Sequence, residues 1–335
     1  MCYFNGPAPR DPVLDHPGVA LRPIGPSPVR GVRWQEVRLP AAARADALDV
    51  FFAPAYSCPL ALPVPRVTTV HDMSFFSIPE DFGLLDGMRR RTLVAASIDV
   101  SRRLLAVSDF TRGEIAARFA GAAPRIVVTP HGADDDLAPP PGREAARRRL
   151  DLRGPMVLTV GTILNRRCLP VLFHAAAAVR RAWPGLTLEV VGENRTHPFL
   201  DLAALAHRTG LDDAARISGF VDEAGLAARY AAADVAVFLS EYEGFGLPAL
   251  EAMARGVPVV TSTAPALGEV FKGAALLVDP HDAPAAAQAV DRILRDAALR
   301  SDLVARGRAL AARHSWAECA RLTRDALEAA AREPA

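Results

Sequence analysis

Lysine is nearly missing from this chain: Lys272 is the single example, and arginine carries almost all of the positive charge. Cysteine is scarce too. Cys2, Cys58, Cys168 and Cys319 lie far apart without a CxxC pair, which reads as neither a disulfide framework nor a zinc site and fits a reducing cytosol. No uninterrupted apolar run reaches the ~18 residues of a membrane span. Residues 1–10 lack the basic segment and apolar run of a signal peptide. Excess charge is absent as well: the net charge is +1, so nothing points to nucleic acid or another strongly charged partner. No internal repeat recurs at a fixed period. These absences predict a cytoplasmic protein. Peripheral attachment at the inner membrane face is left open, since nothing reads as a strong membrane-binding helix or basic face.

What is present is a globular composition, 50% hydrophobic and 23% charged, in 335 residues that leave room for two domains. In the second half, apolar runs at 156–162, 186–192, 215–220, 235–240, 257–262 and 275–279 read as buried strands. Helical patterns at 169–183, 222–233 and 283–296 fall between them. Continuous apolar strands alternating with amphipathic helices predict an α/β fold with a doubly wound parallel sheet, whose ligands bind at the carboxyl ends of the strands. The first half repeats the trend more faintly. Strands are expected at 49–53, 66–70, 104–108 and 125–129, and helices at 84–98 and 109–119, the latter capped by Ser108 or Asp109. The run from Pro139 to Gly142 is the best break between the halves. Asp134, Asp135 and Asp136 just before it read as a solvated loop, not a cation site.

The strongest chemical signal runs from Ser240 to Glu251, directly after an expected strand and into an expected helix. Pro248 suits the start of a helix, where its missing N–H is no loss. Gly244 and Gly246 let the backbone approach a ligand closely. The amides of Phe245, Gly246 and Leu247 then point at whatever lies over the helix start, which makes an anion site. Glu243 and Glu251, eight residues apart, bracket that turn. Like charges repel, so each is better used to accept hydroxyls on either side of a diphosphate, sugar at Glu243 and ribose at Glu251.

With Glu243 and Glu251 wrapped around Gly-Phe-Gly-Leu-Pro, and with Ala252-Met-Ala-Arg-Gly-Val-Pro-Val-Val260 behind them, the chain resembles family-4 retaining glycosyltransferases of the GT-B fold. The resemblance extends through Val160-Gly161-Thr162, Asn165-Arg166-Arg167, Leu169-Pro170, Gly219-Phe220-Val221, Ala266 to Val270 and His314-Ser315-Trp316. It also takes in Val70-His71-Asp72, Ala106-Val107-Ser108 and Pro130-His131-Gly132. It implies two Rossmann-like domains facing a cleft. Residues 1–140 form the acceptor side, 141–314 bind the donor, and a last helix in 315–335 crosses back onto the first domain. The first strand and helix of the acceptor side are expected to be missing before Cys2.

The resemblance further implies a metal-independent hexosyltransferase with no cofactor, taking its sugar from a nucleotide diphosphate sugar. Arg166, Arg167, Thr162 and the amides of Phe245, Gly246 and Leu247 would hold the diphosphate, Glu251 the ribose, and His71 and Glu243 the reacting sugar. Arg167 stands where the family usually has lysine; arginine keeps the charge and adds a bidentate fork. Asp72 reads as a loop-orienting residue, and His131 and His174 as structural. The Val-Gly-Thr loop, with Trp34-Gln35-Glu36 before Leu39-Pro40, is most similar to bacterial mannosyltransferases of polysaccharide assembly. GDP-mannose is therefore the first expected donor, a UDP-hexose the second, and a glycan or lipid-linked glycan the acceptor. The competing readings are a degenerate sugar-nucleotide-binding protein and another GT-B enzyme. Lys272 is poorly placed for the pyridoxal phosphate of a phosphorylase.

Overall fold

A computed structural model describes residues 1–25, 33–133 and 142–333. The acidic triple at 134–136 and most of the expected break lie outside them.

Near the start, β1 (Cys2–Phe4) and β2 (Leu21–Pro23) pair in parallel as a small separate sheet. The first main sheet consists of β3 (Phe51–Ala53), β4 (Arg66–Val70), β5 (Arg103–Ala106) and β6 (Ile126–Val128), all parallel and in sequential order. Each lies within a stretch expected from its apolar run, or overlaps it to within one residue. Helices Leu84–Val100 and Asp109–Arg118 also form where expected. Ser108 is the cap of the second, its hydroxyl accepting the Thr111 amide at 3.1 Å.

The second sheet holds β7 (Met156–Val160), β8 (Thr187–Val191), β9 (Ala215–Ser218), β10 (Val235–Phe238), β11 (Val259–Ser262) and β12 (Leu276–Val278). All six are parallel, in the order β12-β11-β10-β7-β8-β9. Side chains alternate between two apolar layers, which is why the strands read as unbroken apolar runs. Val157, Val235 and Val237 face the layer with Phe173 and Val290, whereas Met156, Leu158, Ala236 and Phe238 face that with Leu250 and Met253. Glu189 is the exception on β8: it is 1% exposed and takes the Arg229 Nε at 2.7 Å and the Ser218 hydroxyl at 2.8 Å.

The strand order reverses between β7 and β10, the switch point outside whose carboxyl edge ligands of such sheets bind. The arginine loop follows β7 and the carboxylate loop follows β10. The last helix, Trp316–Arg332, lies against the first sheet, with Ala326 and Ala330 packed on Val67 and Leu105. Its end is fastened there by Arg102, which donates to the Glu333 carbonyl, and by an Arg103–Glu333 ion pair. Among the described residues no helix is long and apolar enough to cross a membrane.

Candidate active site

The loop after β7 closes with a single turn, Asn165–Arg167, before helix Leu169–Arg180 begins. The Arg166 carbonyl accepts the Glu241 amide at 2.9 Å and the Ser240 hydroxyl at 3.1 Å, which ties this turn to the loop after β10. Arg167 is thereby brought onto Glu243, with Nε 3.1 Å from Oε1 and both side chains mostly buried. The contact is a charge pairing and not an aligned hydrogen bond, since Arg167 Nε has no directional partner among the described residues. The guanidinium lies 4.2 Å from the centroid of Phe238, over the ring face. Burial pulls Arg167 below its ordinary pKa, and the Glu243 carboxylate opposes that pull. Glu243 also accepts the Ser240 hydroxyl at 3.1 Å.

Arg166 turns the other way, toward the first sheet. Its Nη2 is 3.9 Å from Asp72 Oδ2, and its buried Nε has no hydrogen-bond partner among the described residues. Asp72 holds the chain after β4: Oδ1 accepts the Ser74 amide at 2.8 Å, and Oδ2 accepts the Tyr56 hydroxyl at 2.9 Å. The two adjacent arginines therefore serve opposite walls. Thr162 is exposed at the mouth of the same loop.

The glycine turn divides its two glycines between two jobs. A Cβ on Gly244 would lie 1.7 Å from the His71 carbonyl oxygen, so this glycine admits the first sheet's backbone, where a ligand was expected. The Gly244 carbonyl accepts the Ser108 hydroxyl at 2.6 Å, which adds a second strap. Gly246 has φ +102°, a conformation open to glycine, and starts helix Leu247–Ala254 with Pro248 in its first two positions. Among the described residues none accepts a hydrogen bond from the amides of Phe245, Gly246 or Leu247. Glu251, one turn into that helix, accepts the Tyr230 hydroxyl at 3.1 Å.

His71 leaves the end of β4 with both ring nitrogens engaged. Nε2 is 2.8 Å from the Pro54 carbonyl oxygen and therefore donates to it. Nδ1 is 3.2 Å from Nε2 of His131. His131 had no chemical context in the sequence, but the fold stacks it on His71 with ring centroids 5.3 Å apart and packs it edge-on to Phe245. Burial, followed by the nearby His71, lowers its pKa to about 4. Neutral His131 then donates from Nε2 to His71 Nδ1, and His131 Nδ1, without a partner among the described residues, is a bare lone pair. No spacing rule links positions 71 and 131; the signal that could have found the pair is that both follow parallel strands of one sheet, β4 and β6, which flank β5.

Further contacts close the two sheets on each other. The Tyr242 hydroxyl accepts the Met73 amide at 2.9 Å and donates to Glu114 at 3.0 Å. Glu269 accepts the amides of Asp109 and Phe110 at 2.8 and 2.7 Å, satisfying the start of a first-half helix from the second half. His174 lies apart from the site, its Nδ1 2.7 Å from the Pro170 carbonyl within its own helix.

Residues 143–310 match the family described as glycosyl transferases group 1, and residues 2–137 match glycosyltransferase family 4. O-antigen chain mannosyltransferase B of Escherichia coli is 34% identical over 271 residues, covering 78% of this chain and 70% of that protein. A D-inositol 3-phosphate glycosyltransferase of Kineococcus radiotolerans is 32% identical over 301 residues, covering 81% and 68%. Among solved structures, sucrose-phosphate synthase of Thermosynechococcus elongatus superimposes with a TM-score of 0.77 at 23% identity, over 99% of this chain and 89% of that one. Anabaena HepE in complex with UDP-glucose gives 0.72 at 19% identity, over 93% and 85%.

Proposed function

Because the chain belongs to the group 1, family 4 glycosyltransferases and has the GT-B fold, we propose that it moves mannose from GDP-mannose to a glycan or lipid-linked acceptor, with retention of configuration. The observation that carries this reading is the meeting of Arg167 with Glu243 beside the unpartnered amides of the glycine turn, at the sheet's switch point. The similarity to a mannosyltransferase favours mannose as the sugar. A UDP-hexose is the second donor, supported by the nucleotide sugar bound in HepE.

In this reading residues 141–314 hold the donor, 1–140 face the acceptor, and 315–335 tie the two together. Arg166, Arg167, Thr162 and the amides of Phe245, Gly246 and Leu247 take the diphosphate, and Glu251 takes the ribose hydroxyls. As the glycosidic bond breaks, negative charge grows on the leaving diphosphate, and these preorganised donors meet it without a metal or cofactor. Each is worth roughly 10²–10³ in rate. Glu243 accepts sugar hydroxyls; its use as a covalent nucleophile would call for a second carboxyl acid close by, as in retaining glycosidases. His71 would give up the Pro54 carbonyl as the donor enters and turn its Nε2–H to the sugar near the reacting carbon, while the leaving diphosphate takes the acceptor's proton on the same face. Buried Arg167 exchanges the Glu243 carboxylate for phosphate as the donor enters.

The test is release of nucleoside diphosphate from GDP-mannose and UDP-glucose with chelator present. Release by the wild type, falling at least about 100-fold in Arg167→Ala and Glu243→Gln, is expected. Equal release by wild type and variants overturns the assignment of these residues.

A further inference from the structure

Outside the residues just assigned, three loops at the carboxyl edge of the second sheet bring together side chains that the donor site does not use. Cys168 ends the arginine turn, Glu241 begins the carboxylate loop, and His281 lies in the loop after β12. Cys168 Sγ is 3.5 Å from Glu241 Oε1, and His281 Nε2 is 3.7 Å from the same oxygen. One potential ligand atom from each of the three lies within 4.8 Å of the others. Around a tetrahedral zinc ion, with bonds of about 2.3 Å to sulfur and 2.0–2.1 Å to nitrogen and oxygen, neighbouring ligand atoms are about 3.3–3.6 Å apart. The sulfur–oxygen edge already has that length, the oxygen–nitrogen edge needs a few tenths of an ångström, and the sulfur–nitrogen edge, within 4.8 Å, closes by rotation of the exposed His281 side chain.

We propose that Cys168, Glu241 and His281 bind one zinc-class transition-metal ion, with the fourth position open to water. The mixed sulfur, nitrogen and oxygen set selects against magnesium and calcium, which take oxygen ligands. Cys168 is buried while Glu241 and His281 are exposed, so the ion enters from solvent and meets the thiol last. Binding replaces the thiol proton by the metal, and that proton leaves to solvent. Without metal, burial together with Glu241 and nearby Asp279 pushes the Cys168 thiol up to about 12. The Glu241 amide already bonds to the Arg166 carbonyl, so the ion would clamp the loop carrying both arginines to that carrying Glu243. It is a clamp on the flank of the site and supplies no step of the transfer. The cysteine count argued against a zinc site because it looked for short spacings; here Cys168 and Glu241 are 73 residues apart and meet only in the folded sheet.

Cobalt titration of the metal-free protein tests this, because a thiolate ligand gives a near-ultraviolet charge-transfer band beside the visible bands of four-coordinate cobalt. One equivalent should develop both, and zinc should discharge them. Cys168→Ser should lose the near-ultraviolet band. His281→Ala, at an exposed position, should weaken cobalt binding at least about tenfold, since even lost outer-shell partners cost that much. Absence of the band, its survival in Cys168→Ser, or unchanged affinity in His281→Ala overturns the site. Diphosphate release is measured in chelator, so failure here is distinguishable from failure of the transferase reading.

Discussion

The His71–His131 contact turns one histidine's charge into a property of the fold. With a pKa of about 4, His131 stays neutral in the folded protein down to acidic pH, whereas in the unfolded chain it gains a proton near 6.5. The unfolded state therefore binds more protons between those values, and stability falls as pH drops from about 6.5 to 4, by up to about 3 kcal/mol. His131→Gln keeps a donor to His71 and removes this titration, so its acid denaturation should lose that part of the slope; an unchanged slope contradicts it. Gly244 offers a second single-residue test, because its need is for space and not for an unusual φ. Gly244→Ala must push the His71 carbonyl away, which should lower turnover and thermal stability together while leaving the second sheet folded. Gly246→Ala acts differently, through strain at φ +102°.

The elements show what apolar periodicity can and cannot carry. Every expected strand of the second sheet formed, each two residues shorter; in the central strands continuous burial on two faces leaves an unmistakable apolar run, whereas the edge strand β9 is only partly buried. The short β1–β2 pair was not expected: its members are three residues each, and β2 is exposed throughout, so neither carries a buried pattern. The buried Glu189–Arg229 pair was equally illegible, since its partners are 40 residues apart and each looks like a surface charge. Breaking it should show in the fold more than in the chemistry. Arg229→Ala leaves a buried carboxylate on β8 without its cation and should cost about 3–5 kcal/mol in urea denaturation. A loss under 1 kcal/mol would mean that Ser218 alone satisfies Glu189.

At the scale of the whole molecule, the two sheets are joined by small polar contacts that each satisfy a backbone group of the opposite half. Tyr242 takes the Met73 amide, Glu269 takes those of Asp109 and Phe110, and the Gly244 carbonyl takes the Ser108 hydroxyl. The motifs were legible one by one, but these partnerships were not, because they join residues 136 to 169 positions apart or, for Glu269, about 160. Glu269→Ala should free two amides at the start of helix Asp109–Arg118 and cost about 0.5–2 kcal/mol, read as a lower melting temperature. The central claim is that the switch point between β7 and β10 takes a nucleotide diphosphate sugar on Arg167. Thermal melting across GDP, UDP, GDP-mannose and UDP-glucose without added metal, in wild type and Arg167→Ala, tests it most directly. The account predicts a rise in melting temperature with the guanine pair that Arg167→Ala abolishes. No rise with any of the four, or an equal rise in the variant, would contradict it.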